Sequence, residues 1–258
     1  MRTALKLVLV WALLTALAPA ARARLFNYHK SAATNAPVPA KSASTLSEEE
    51  MVAGLKEALV KGVDHAVAML GHNGGFLTNS NVKILMPEKL RSAENTMRLT
   101  GQQRLVDDFV GSMNRAAERS VPAAASVFKD AIRQMSIEDA WGILSGPDDA
   151  ATQLFRRTTQ TNLYTRFYPV VQTATAQAGA MAKYKAMMGK LATVYTPGGV
   201  SGPRNVGQLE AAELDAYVTG RALEGLFQMV ADEERRIRAD PLARTSDLLQ
   251  IVFGGAAR

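Results

Sequence analysis

Residues Ser136 to Arg157, SIEDAWGILSGPDDAATQLFRR, decide how this chain folds. They read as a short helix, a sharp turn and the start of a long helix. Ser136 is placed to accept a backbone N–H at the start of the first helix, and Asp139 stands three residues on, where a carboxylate returns the bond. Ile137, Ala140, Trp141 and Leu144 then share one face. Gly146 is expected to end that helix in the left-handed conformation, and Pro147, Asp148 and Asp149 supply the fixed dihedral and negative charge that favour a new N-terminus.

Outward from this hairpin the same pattern repeats. Ser47-Glu48-Glu49-Glu50 is another capping box, followed by a stripe from Met51 through Leu55, Leu59, Val63 and Ala66 to Leu70, with Gly71 as the stop. Pro87 opens a helix that Gly101 closes. Leu105 to Ala117 gives the next stripe, and Pro122 begins another with Phe128 and Ile132 inward. Downstream, Pro169 is expected to kink or break the long helix, Met181 to Leu191 continue it, and Thr219 caps a late helix with Leu223, Phe227, Val230 and Ile237 inward. A last helix holds Leu248 to Phe253. The fold class is therefore all-α, one domain of about ten helices over residues 47–254 with the hairpin at its centre.

Two stretches depart from helical patterning. Residues 71–87 contain Asn73-Gly74, a turn signal, and alternating Val82, Ile84 and Met86; they read as a connecting loop with a short extended piece or small hairpin. Residues 195–208 carry four glycines and two prolines and form a Gly/Pro-rich loop.

The first 46 residues are of another kind. Arg2 and Lys6, an apolar run from Leu7 to Ala18 and Ala21-Arg22-Ala23 have the three parts of a secretory signal, with cleavage expected after Ala23; an uncleaved anchor is the alternative. Residues 24–46 mix Ala, Ser, Thr, Asn and Pro without an apolar face, as a disordered tether does. The expected location is the periplasm, with no transmembrane segment in the mature chain. The net charge of +6 falls to +3 once Arg2, Lys6 and Arg22 are removed, too small an excess to imply a nucleic-acid partner. No cysteine is present, so packing alone holds the domain.

The chemistry-bearing signals are few. There is no Gly-x-Ser-x-Gly elbow, no His-Glu-x-x-His and no cysteine nucleophile. Of three histidines, His29 lies in the tether and His65 beside the first apolar stripe without a second ligand in helical register. No catalytic residue, metal ligand or cofactor is assigned. Two polar faces are candidates for a cleft: Asp107, Asn114 and Glu118 with Arg115 beside them, and Asp149, Gln153 and Arg157 with Arg156 flanking. Were these to converge, carboxylates and guanidinium groups would hold an anionic ligand or move a proton; otherwise they are solvated faces. The run Glu233-Glu234-Arg235-Arg236 with Arg238 reads as a solvent face with intrahelical pairs.

Several strings also carry a resemblance: Gly75-Phe76-Leu77, Leu105 to Phe109, Ser112 to Glu118, Ile132 to Ala140, Asp148 to Thr152 with Phe155 to Thr159, and Leu223 to Phe227. Over about Ser47 to Gly254 the chain resembles the bacterial domain-of-unknown-function family 4197, from which the Gly/Pro stretch departs as an insertion. The resemblance implies an exported helical protein of Gram-negative bacteria and carries over no catalytic residue. The reading is of a non-catalytic binding or interaction module whose partner would be a periplasmic protein or envelope component. The alternatives are an enzyme acting on an anionic envelope metabolite through the polar faces and, more weakly, a carrier of lipid or another apolar ligand.

Overall fold

A computed structural model describes residues 47–195 and 208–240. The expected signal, tether and final helix, and nearly all of the Gly/Pro loop, lie outside the described residues. Within them are eight α-helices: α1 (Glu48–Gly71), α2 (Arg91–Leu99), α3 (Gln103–Ser120), α4 (Ala124–Gln134), α5 (Ile137–Leu144), α6 (Ala150–Gln177), α7 (Ala180–Tyr195) and α8 (Ala211–Ala239). Two short 3-10 turns, Glu88–Leu90 and Val121–Ala123, follow and precede the helix starts expected at Pro87 and Pro122. The described residues contain no strand. The fold is all-α, with eight helices described where about ten were expected.

The local signals act as their chemistry requires. Ser47 Oγ accepts the Glu50 N–H at 3.2 Å and the Glu50 carboxylate accepts the Ser47 N–H at 2.9 Å; Ser136 and Asp139 make the same reciprocal pair at 3.0 Å each. α2 ends at Gly101, φ +77°, with the Gln102 N–H bonded to the Met97 carbonyl and the Gly101 N–H to that of Arg98. That is the paired closure a left-handed glycine permits.

Two boundaries fall elsewhere than the sequence suggests, and one glycine serves another purpose. α6 runs through Pro169 without a break; the ring lies on the exposed side, between turns that Phe167 and Val171 anchor in the core. The break comes instead at Gly179, φ +64°. α8 starts at a box made by Glu210 and Glu213, so Thr219 lies inside the helix with its hydroxyl bonded to the Asp215 carbonyl. Glu213 also receives the Lys89 ammonium at 2.6 Å, and that bond first, then the Glu210 N–H, holds its carboxyl below the usual range. Gly146 is not left-handed. It is needed for clearance, since a Cβ there would lie 2.6 Å from the Gly142 carbonyl oxygen and 2.8 Å from the Ala150 Cβ.

α6 is the axis of the assembly. It packs against α8, α3, α4, α5 and α7, while α1 packs on α8 and α4. Small side chains on its buried face, Ala151, Thr152, Thr159, Ala174 and Thr175, admit the neighbouring helices, and Phe155, Leu163, Phe167 and Val171 fill between them. Phe128 meets Phe155 and Phe227 edge-on, both with centroids at 5.7 Å, and each such ring contributes roughly 2–3 kcal/mol by burial. α5 stands at the edge: Ala140 and Ile143 face inward, leaving Ile137 and Trp141 exposed. An eight-residue helix has two adjacent apolar faces to choose from, and packing selects the one around Ile143.

Candidate functional site

The polar side chains of α3 do something more definite than line a surface. Val110, Asn114 and Glu118 follow at intervals of four, so they align on one face, and that face is buried. Asn114 accepts the Ile84 N–H at 2.9 Å and donates to the Ile84 carbonyl and to the Val110 carbonyl, both at 2.8 Å. Its amide thus stands where a neighbouring strand would. Val82, Ile84 and Met86 are alternately buried along this segment, which pairs with no strand of the described residues. One turn on, Glu118 accepts the Phe76 and Leu77 N–H groups at 3.1 and 3.2 Å.

Two glycines let this loop seat itself. A Cβ on Gly75 would lie 2.5 Å from the Leu70 carbonyl oxygen, and one on Gly225 of α8 would meet the Phe76 ring at 2.8 Å. Tyr217 closes the far end by donating to the Leu85 carbonyl at 3.0 Å. Residues 72–87 are therefore part of the body, locked between α3 and α8.

The second network joins α8 to the start of α6. Asp149 is the N-cap of α6, yet its side chain makes no capping bond. Glu234 does that work from α8. Its oxygens accept the Ala151 N–H, the Thr152 N–H and the Thr152 hydroxyl, each at 3.0 Å. Arg238 bonds the same carboxylate at 3.0 Å and the Ile143 carbonyl at 2.8 Å, which ties in the end of α5. A carboxylate on helix N-terminal N–H groups is favoured both by charge and by geometry. Next to it, buried Glu233 meets His65 Nδ1 at 2.7 Å and the Arg236 guanidinium at 2.6 Å. The expected intrahelical pairs do form in this charge run, but both carboxylates are buried rather than solvated.

The structure distributes the eight candidate residues among separate places. Asn114 and Glu118 hold the loop. Asp107 is exposed and pairs with Arg98 at 3.0 Å, which also bonds Glu94; burial opposes the charge of that guanidinium, but the two carboxylates outweigh it and raise its pKa. Arg115 folds back over Gly111. Asp149 accepts from the Gln153 amide at 2.8 Å on the exposed side of α6. Arg156 lies over the Phe227 ring at 4.5 Å, and Arg157 is exposed. The pairs Asn114 with Glu118 and Asp149 with Gln153 are the groupings made; the eight do not share one cleft.

Besides one of about 390 Å³ beside Arg119 and the second half of α6, three open cavities of ligand size occur among the described residues. One of about 370 Å³ lies between α4, α5 and α6, with a floor that includes Val127 and Phe155 and a rim bearing Asp130, Asp139 and Arg166. Another, about 440 Å³, lies beside α2 and α3 and contains Arg98 and Asp107. The third, about 320 Å³, is bounded by the end of α6 and the starts of α7 and α8, and buried Asp215 lines it. Among the described residues no three His, Asp or Glu side chains are grouped as metal ligands, and no helix is long and apolar enough to cross a membrane.

From the sequence Asp215 goes unmarked and Glu234 reads only as part of a solvent-facing charge run, though both carry a signal of burial. Both fit the three-and-four spacing of the α8 stripe, Asp215 before Val218 and Ala222, Glu234 between Val230 and Ile237. Acids in register with an apolar stripe are candidates for burial with a partner on another helix.

Neither the curated proteins nor the solved structures searched give a match to this chain. Residues 45–254 match the family described as protein of unknown function (DUF4197), a span that takes in every string on which the resemblance rests. The helical body built around α6, with its locked loop and its buried acids, thus belongs to a member of the DUF4197 family.

Proposed function

We propose that the protein is a non-catalytic binding module, exported to the periplasm. The observation that carries this reading is how its buried acids are used. Glu118 and Glu234 accept backbone N–H groups of other segments, and Glu233 is held by His65 and Arg236. Acids whose oxygens already bond the fold are poorly placed to exchange protons with a substrate. The polar faces that an enzyme would need, Asp107 to Glu118 and Asp149 to Arg157, serve different parts of the surface and interior. Cavities of 320 to 440 Å³ favour small ligands over enclosed lipid chains.

Export is supported by the Arg2 to Ala23 pattern. Fractionation of a Gram-negative host expressing the full chain, with N-terminal sequencing of the soluble product, is expected to give a periplasmic protein starting at Arg24. The binding reading is tested by incubating the purified chain with a periplasmic small-molecule extract and following it by mass spectrometry. Compounds retained by the protein and released unchanged are expected; a product that accumulates with time and enzyme concentration would contradict the reading.

A further inference from the structure

Asp215 differs from the other buried acids. It is 5% exposed, and the single hydrogen bond it receives among the described residues comes from the Thr175 hydroxyl. No ammonium, guanidinium or imidazole nitrogen of the described residues lies within 4.0 Å of its oxygens. α7 starts close by at Ala180, yet no backbone N–H reaches the carboxylate, so it is not a cap. Lys183, in the first turn of α7, gives its ammonium to the Ala178 carbonyl at 2.6 Å. A carboxylate has about four acceptor positions, and burying it with one donor is costly unless something else supplies the rest.

What lies in front of Asp215 is the cavity of about 320 Å³. Its walls are short and mostly apolar: Ala176, Gly179, Ala180, Met181 and Ala211. The last turn of α6 forms one side and carries no basic residue, and its Ala174 and Ala176 carbonyls accept the Ala178 and Gly179 N–H groups. A buried acid with one donor, facing a small and mostly apolar chamber, fits one kind of occupant. We propose that this cavity binds a small organic cation, a primary ammonium group on a short apolar chain, with the ammonium on Asp215 and the chain against the alanines and Met181. The proposal rests on the reading of the protein as a binding module and specifies its ligand class.

The test is calorimetric titration of the purified chain with n-butylammonium, alongside butan-1-ol and butyrate as neutral and anionic molecules of matching shape. The amine is expected to bind, to shift the amide resonances of Thr175, Gly179 and Ala211, and to bind at least about tenfold more tightly than the alcohol, the effect of one charge-assisted hydrogen bond. Asp215→Asn should weaken the amine by at least about tenfold and leave the alcohol unchanged. Ala211 is exposed at the start of α8, so Ala211→Leu should fill the cavity and abolish binding without touching the acid, a readout that holds even if the Asp215 variant folds poorly. Equal binding of amine and alcohol, undiminished amine binding in either variant, or no amine binding at all would overturn the assignment. If instead other extract compounds are retained unchanged, the binding reading survives without this site; turnover of any compound removes that reading.

Discussion

Two acids on α8 face α6 from opposite ends, and their circumstances could hardly differ more. Glu234 sits over the first turn of α6, where two backbone N–H groups, a hydroxyl and the Arg238 guanidinium converge on it. Asp215 sits by the last turn, with one hydroxyl and a cavity. Burial is alike, 6% and 5% exposed, so depth does not distinguish a structural acid from an available one. The number and kind of donors does.

The comparison can be broken first at its strong end. Glu234→Ala would strand the Thr152 and Ala151 donors and leave Arg238 without its carboxylate; loss of about 3–5 kcal/mol is expected in urea unfolding, the scale for breaking a buried charged pair. A loss below 1 kcal/mol would mean that water replaces the cap at little cost. The loop anchor comes next. Asn114→Leu keeps the volume but abandons the Ile84 N–H and carbonyl, and about 2–3 kcal/mol should be lost, with faster hydrogen exchange at Ile84 than at Phe76.

Gly225→Ala probes the same loop from α8. The added methyl must displace the Phe76 ring, at an expected cost of about 1–3 kcal/mol, and near-ultraviolet circular dichroism should report the moved aromatic. The smallest effect is at the surface: Asp107→Asn leaves Arg98 on Glu94, and a change under about 0.5 kcal/mol is expected. A larger loss there would show that the cavity beside α2 depends on that pair.

Legibility from sequence followed the range of the interaction. The Ser47 and Ser136 boxes span three residues, so both partners are visible in one glance at the chain. The bonds of Asn114 and Glu118 reach across 30 and 42 positions, and Glu234 reaches its helix across 83. No periodicity reports such a bond; it shows only as a polar residue in an apolar register. That register placed Asn114 and Glu118 among the candidates but could not say that backbone, not ligand, would receive them. In Glu233-Glu234-Arg235-Arg236 the opposite happened: abundant charge concealed two in-register acids. The buried face of α5 is not legible because eight residues carry too few apolar positions to fix it, and of the kink or break expected at Pro169 the break does not occur because the ring is exposed and the turns on either side are anchored.

The account turns on Glu234 being satisfied and Asp215 being left open, and paired urea denaturation of Glu234→Gln and Asp215→Asn tests that directly. Each replaces a buried carboxylate by an amide of the same shape. The expected result is opposite signs: Glu234→Gln destabilises by about 2 kcal/mol as its charge-assisted bonds weaken, whereas Asp215→Asn stabilises the ligand-free protein by about 1 kcal/mol by removing an unpaired buried charge. Destabilisation of both by similar amounts would contradict it.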